Sequence, residues 1–126
     1  MFAELLARVR SNSIQEVDVS VHQLEQTEYA VLALALARST SVGRVNMSGS
    51  GLDDRVADKL GTMLAVNASV QYLDLSDNCI GDMGAWPLAM GLAANTSLIQ
   101  LDLRRNHLSA EGKALLTVYG SKALLS

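Results

Sequence analysis

The feature that most constrains this chain is a repeat of constant length. Apolar residues recur at the same offsets in four successive segments, with no insertion or deletion between them. A fixed period of this size indicates a stack of similar units. Each segment opens with a serine, and these serines are 28 positions apart: Ser13, Ser41, Ser69 and Ser97. We therefore predict one domain over 1–126, with an N-terminal helix over 1–12 followed by the repeats 13–40, 41–68, 69–96 and 97–126.

Each repeat changes its hydrophobic period halfway along. In the third repeat, residues 70–75 alternate as a half-buried strand does, and a helix-like spacing follows at Ala85, Leu88, Ala89 and Leu92. Stacked strand–helix units bury a continuous core beneath a parallel sheet. Because helices are wider than strands, we predict a curved, right-handed α/β solenoid with parallel strands on the concave side and helices on the convex side. The predicted strands lie near residues 15–19, 43–47, 71–75 and 99–103.

The second, helical half of each repeat leads to three local predictions. Pro87 is tolerated in the first turn of a helix, so the helix of the third repeat should begin near Met83. The last helix is expected over 110–118, with a frayed tail from Gly120 onwards. One column of small residues should let each helix pack close to the strand layer: Ala33, Gly61 and Ala89.

Composition argues against several classes of protein. The formal net charge of −3 is not the basic footprint of a nucleic-acid binder. The single cysteine, Cys79, cannot form an internal disulfide, and no cysteine–histidine cluster predicts a metal site or a cofactor. Residues 1–10 do not resemble a signal peptide, and no apolar run is long enough to cross a membrane. We therefore expect a cytoplasmic protein without a membrane partner.

The titratable residues do not predict catalysis. His22 and His107 lie in neighbouring turn columns of distant repeats, without a carboxylate or cysteine beside them in sequence. No combination of nucleophile, base and orienting group is recognisable in the chain. We therefore predict that the protein is not an enzyme.

Residues 73–85, LDLSDNCIGDMGA, carry a recognisable pattern, and residues 101–108, LDLRRNHL, repeat its strand and turn. The pattern resembles the ribonuclease-inhibitor type of leucine-rich repeat. This resemblance implies a protein-binding solenoid, and it implies that Asn78 and Asn106 are turn asparagines whose amides bond the backbone of neighbouring coils. The first two repeats depart from the pattern, with His22 and Ser50 in that column.

A narrower similarity lies at two other places. Residues 5–12, LLARVRSN, and the Val-Asp-Val strand that follows them are similar to the start of the tropomodulin repeat domain. Residues 95–99, NTSLI, are similar to the same family. This resemblance implies an actin-binding cytoskeletal regulator, with actin as the candidate partner.

The outward-pointing strand residues form the natural docking surface of such a solenoid. Tyr72, an exposed aromatic flanked by charges, is the candidate hot spot. The full set of predicted partner-binding residues is Glu16, Asp18, Arg44, Asn46, Tyr72, Asp74, Gln100, Asp102, Arg104 and Arg105.

Two features of this surface have alternative interpretations. Asp is common in the family's Leu-Asp-Leu pattern, so the aspartates are either scaffold or site. Neighbouring strands would place Asp74 beside Asp102, a repulsion that Arg104, Arg44 or a partner's lysines would relieve. The Arg104–Arg105 pair would either bind a carboxylate or phosphate or protect the edge of the sheet from unwanted pairing.

Three functions therefore remain open from the sequence. The first is a protein-interaction module that binds another protein on its concave sheet, as part of a larger scaffold or sensor. The second is a tropomodulin-like actin regulator. The third is a structural repeat protein that self-associates through strand edges or the concave face.

Overall fold

In a computed structural model that describes residues 1–20, 23–119 and 122–126, helices and strands alternate along the chain. The helices are Phe2–Arg10 (α1), Gln26–Ala37 (α2), Asp54–Val66 (α3), Asp82–Ala94 (α4) and Ala110–Thr117 (α5). The strands are Glu16–Asp18 (β1), Arg44–Asn46 (β2), Tyr72–Asp74 (β3), Gln100–Asp102 (β4) and Ala123–Leu124 (β5). They form one parallel sheet in the order β1-β2-β3-β4-β5, so the predicted α/β solenoid is confirmed.

The constant repeat length sets the register of the first four strands. Arg44 of β2 is aligned with Tyr72 of β3, and Asn46 is aligned with Asp74. Residues 28 positions apart therefore lie side by side, and each sequence column becomes a row across the sheet. We call the outward surface of these rows the concave face.

The inward-pointing strand residues and the inner helix faces form one continuous core. Leu75 and Leu103 are buried in adjacent layers, as the sequence predicts. At the N-terminal end, Val9 of α1 is buried, and Phe2 and Leu5 pack against the core. This helix therefore covers the first layer of the stack.

Buried asparagine side chains form hydrogen bonds between successive coils. The amide of Asn67 donates to the carbonyls of Leu36 and Ser39 in the previous repeat, at 2.8 and 3.3 Å. Asn95, in the same column, donates to the carbonyls of Leu64 and Asn67 at 2.9 and 3.1 Å. These bonds satisfy carbonyls at the ends of α2 and α3, where a helix leaves them without partners. This column of asparagines is not among the residues predicted from the sequence.

The small-residue column packs differently from the prediction at Gly61. A β-carbon there would lie 2.3 Å from the Pro87 carbonyl oxygen, and one at Gly91 would lie 2.4 Å from the Gly61 carbonyl oxygen. Gly61 therefore permits contact between the backbones of α3 and α4. The expectation that it serves the strand layer is wrong, because the space it leaves is filled by the neighbouring helix.

Pro87 lies in the second turn of its helix, rather than in the first turn as predicted. The helix α4 begins at Asp82, close to the predicted start, but Pro87 is its sixth residue. Proline cannot donate the bond that the Met83 carbonyl would accept. Met83 is at the exposed surface, where water can hydrate that carbonyl.

The C-terminal expectation is also corrected. Residues 120 and 121 of the predicted tail lie outside the described residues, but Ala123 and Leu124 form the fifth strand. Leu101 is aligned with Ala123, only 22 positions later, so the last coil is shorter than the others. The sheet therefore continues beyond the four predicted strands, within the last predicted repeat.

Candidate interaction face

The concave face carries the predicted residues in two rows. The upper row contains the first residue of each of the four strands: Glu16, Arg44, Tyr72 and Gln100. The lower row contains the third residue of each strand: Asp18, Asn46, Asp74 and Asp102. Tyr72, Asn46 and Asp74 are half-buried, and Asp102 is buried. The solenoid thus brings the predicted residues onto one surface, with the exposed ones concentrated at β1 and β2.

Arg44 and Tyr72 form a stack at the centre of the upper row. The guanidinium carbon of Arg44 lies 4.2 Å from the centroid of the Tyr72 ring, within the range of a cation–π interaction. The Glu16 carboxylate is 3.8 Å from the Arg44 guanidinium on the other side. The ring is therefore held by a neighbouring strand, which lowers the entropy lost when a partner packs on it.

The Arg44–Tyr72 stack lies between two depressions in the concave face. The upper one, of about 460 Å³, lies towards the start of the strands and includes Gln15, Gly43 and Gln71 among its lining residues. The lower one, of about 170 Å³, lies between the two rows and includes Asp74 and Gln100. Arg44 and Tyr72 line both. The upper depression was not predicted from the sequence, although a glycine between Gln15 and Gln71 in one repeat column indicates such a gap.

Aspartates of the lower row accept hydrogen bonds from the turns that follow the strands. One carboxylate oxygen of Asp74 accepts from the Ser76 amide at 2.9 Å and from its hydroxyl at 2.6 Å. Asp18 accepts the same two bonds from Ser20 at 3.0 and 2.6 Å. The scaffold interpretation of the aspartates therefore has a structural basis at both positions. Among the described residues, the hydrogen bonds from Ser76 to Asp74 use one and the same carboxylate oxygen.

Asp102 does not offer a free carboxylate to a partner. Its two oxygens accept from the Arg104 guanidinium at 3.0 and 2.8 Å, and the Arg104 amide also donates to it. The bonds from Arg104 hold the pKa of Asp102 below its usual range, although burial opposes this. Asp102 is one of the predicted partner-binding residues, but its side chain is only 7% exposed and is already paired within the chain. Arg104 relieves the repulsion between Asp74 and Asp102 from within the chain, as one of the alternatives predicted.

Arg105 is engaged in the same way. Its guanidinium donates two hydrogen bonds to Asp77, at 2.7 and 2.9 Å, and these bonds lower the pKa of Asp77. Both arginines thus already pair with carboxylates of this chain. A partner's carboxylate or phosphate would have to displace these bonds, so the geometry favours a structural role for the Arg104–Arg105 pair.

The turn asparagines bond the backbone of neighbouring coils. The Asn78 oxygen accepts from the amides of Ser50 and Leu52 at 2.9 and 3.0 Å, and its nitrogen donates to the Met47 carbonyl at 3.0 Å. Asn106 accepts from the Ile80 amide at 2.9 Å. His22, in the same column, lies outside the described residues.

Other classes of site find little support in the structure. Within residues 1–20, 23–119 and 122–126, no group of three or more histidines, cysteines or acids could hold a metal ion. Among the same residues, no helix is both long enough and apolar enough to span a membrane. Cys79 is exposed and unpaired by any disulfide.

Comparison with known proteins supports the repeat assignment. The family described as Leucine Rich repeat matches residues 66–89 and 94–113. A solved structure titled Leiomodin-1 Actin-Binding Site 2 is similar over 99% of this chain and 77% of its own, with a TM-score of 0.90 and 23% identity. The tropomodulin C-terminal domain of Caenorhabditis elegans is similar over 94% of this chain and 90% of its own, with a TM-score of 0.63 and 12% identity. No curated protein sequence matches.

Proposed function

We propose that this leucine-rich-repeat solenoid is a protein-interaction module that binds a partner protein on its concave face, without catalysis, in the cytoplasm. The observation that carries the proposal is the Arg44–Tyr72 stack between two depressions on the parallel sheet. An aromatic ring held in place and bordered by polar pockets has the character of an interface hot spot.

The two rows have different roles in this proposal. Tyr72 supplies apolar contact area and Arg44 supplies donors at its edge, while Asp74 sets the register through its second carboxylate oxygen. Glu16, Asp18, Asn46 and Gln100 form the polar border of the same surface. Asp102, Arg104 and Arg105 support the face by their internal ion pairs.

Actin is the partner that we propose to test first. The fold matches, over nearly the whole chain, a structure whose title describes an actin-binding site. The sequence similarity to tropomodulin points to the same class of partner. Cosedimentation with actin filaments and pointed-end elongation assays test this proposal directly. Absence of binding in both would exclude actin while leaving the concave face open to another protein.

The face itself is tested by substitution. Tyr72→Ala should weaken binding by about 1–3 kcal/mol without unfolding the protein, since the ring is only half-buried. Asp74→Asn should weaken binding while changing stability by less than about 0.5 kcal/mol, because asparagine can still accept from Ser76. Leu34→Gln, on the exposed side of α2, is the matched control. If both concave variants bind as the wild type does, the contact surface lies elsewhere.

A further inference from the structure

A depression lies between α1 and α2, near the carboxyl-terminal ends of both helices. Its volume is about 320 Å³, and its lining residues are Val9, Arg10, Leu34, Ala35 and Arg38. Val9 and Ala35 belong to the core, whereas Leu34 is 55% exposed. None of these five residues lines either depression of the concave face. We call this depression the α1–α2 groove.

Two arginines at equivalent repeat positions border the groove. Arg10 and Arg38 are 28 residues apart, and both are exposed. In the described part of the chain, neither guanidinium group forms an ion pair or a hydrogen bond. The arginines of the concave face, by contrast, each pair with a carboxylate: Arg44, Arg104 and Arg105. The donors of Arg10 and Arg38 are therefore available to a ligand.

The surroundings of the groove are positive, although the whole chain has a net charge of −3. Residues 5–15 and 29–43 contain the arginines Arg8, Arg10 and Arg38 and no aspartate or glutamate. The carboxyl-terminal half of α3, residues 60–66, is uncharged. Because no acid of this chain neutralises the arginines there, the groove attracts carboxylates from outside.

A cation at a helix end can also serve only to complement the helix dipole. The repeat does not require one, because the same column contains Val66 and Ala94 at the ends of α3 and α4. Two like charges beside one groove also repel each other. The fold therefore gains little from placing Arg10 and Arg38 together, and a ligand between them explains the pair better.

We propose that the α1–α2 groove binds an acidic segment of a partner protein, in which an apolar side chain lies between carboxylates. Each guanidinium group would donate paired hydrogen bonds to one carboxylate. Leu34 would contact the apolar side chain that enters the groove. A volume of about 320 Å³ is near the lower end of the roughly 300–1,000 Å³ that ligand sites occupy.

A phosphate group fits this groove less well than a carboxylate does. Phosphate sites typically use free backbone amides at helix N-termini, but α1 and α2 end here. The amides of residues 38–41 all donate within the chain. An anionic lipid surface also fits less well, since it is recognised by clusters of about four to eight basic residues.

NMR titration of the isotope-labelled full chain with a synthetic peptide tests the proposal. The probe carries a pair of leucines between pairs of glutamates, and a control peptide replaces each glutamate with glutamine. The acidic probe should shift the side-chain N–H signals of Arg10 and Arg38 and the amide of Leu34. The shifts should shrink between about 20 and about 200 mM salt. No shift with the acidic probe, or equal shifts with both peptides, would overturn the proposal.

Substitutions on α1 separate the groove from general charge attraction. Arg10→Gln and Arg8→Gln remove the same charge from exposed positions of one helix, but Arg8 lies outside the groove. Arg10→Gln should weaken binding of the probe by roughly threefold or more, and Arg38→Gln should do the same. Arg8→Gln should weaken it by less than about twofold. Equal losses for Arg8→Gln and Arg10→Gln would contradict a specific site.

Unfolding measurements separate a binding role from a structural one. Arg38→Gln should leave the denaturation midpoint unchanged or slightly higher, because it removes a like charge from beside Arg10. A marked loss of stability would instead assign Arg38 to the fold and overturn the proposal.

The last measurements concern the apolar contact and the competing ligands. Leu34→Gln should weaken binding of the probe, although it leaves binding on the concave face unchanged. Displacement of the probe by inorganic phosphate or by phosphatidylserine vesicles at equal concentration would overturn the choice of an acidic protein segment. Failure in the α1–α2 groove leaves the concave-face proposal standing, since the two surfaces share no lining residue.

Discussion

Arg105 is bonded to Asp77, the residue at the equivalent position one repeat earlier, and both have left-handed backbones, with φ of 59° and 58°. Gly49, one repeat earlier again, has φ of 60°. The same turn therefore recurs at the end of successive strands, first with a glycine and then with two residues that pair with each other. This pairing occupies an arginine that would otherwise be available to a partner.

Leu75→Ala should cost about 2–5 kcal/mol of unfolding free energy, because Leu75 is fully buried and the cavity is shared with neighbouring layers. The loss should appear in one cooperative transition, since each repeat is stabilised by its neighbours. Chemical denaturation of this variant and of Val118→Ala, an exposed control, measures it. A change under about 1 kcal/mol for Leu75→Ala would contradict the burial.

Asn78→Ala should cost about 2–4 kcal/mol, because it leaves buried backbone groups in two coils without partners. Ser50→Ala, in the same column, removes one part-buried hydroxyl bond and should cost under about 1 kcal/mol. Denaturation midpoints and hydrogen exchange at the Leu52 amide report the two effects. Equal losses would show that the asparagine does not bridge the coils.

Gly91→Ala should destabilise the protein by about 1–3 kcal/mol, because its new methyl group would be forced against the Gly61 carbonyl. Gly43→Ala is the matched control, since its new methyl group would meet no atom closer than 3.8 Å. The control should change stability by less than about 0.5 kcal/mol. Thermal unfolding of the pair distinguishes overpacking from a general effect of replacing glycine.

Asp102 should make stability depend on pH. Its pKa is lowered in the folded state, mainly by the bonds from Arg104, so the folded state favours the charged form. This contribution is fully present above the ordinary value of 3.8 and is lost as the pH falls through the lowered pKa. Asp102→Asn should therefore be less stable than the wild type by about 1 kcal/mol at neutral pH.

The difference between Asp102→Asn and the wild type should shrink as the pH falls below the ordinary value of 3.8. Denaturant titrations over this range measure it. A difference that stays constant down to about pH 2 would show that the Arg104 pair is not the cause.

The sequence alone determined the architecture and the alignment of the face. Because the repeats have equal lengths, residues at the same position in successive repeats lie side by side. The 28-residue spacing therefore determines which residues share a row, including Arg44 beside Tyr72 and Asp74 beside Asp102. The apolar columns likewise determined the core. These conclusions follow from spacing, and spacing is explicit in a sequence.

Only the tertiary structure decided which side chains form ion pairs with one another and which spaces they fill. Asp102 is buried because Arg104 folds over it, and Arg105 is engaged because a turn presents Asp77 at bonding distance. Gly61 serves a helix contact because α4 lies against it. The fifth strand forms although its coil is short, since Leu101 and Leu103 offer backbone amides at an open edge. Each outcome depends on where side chains and backbones lie in space, and a repeat pattern does not specify those distances.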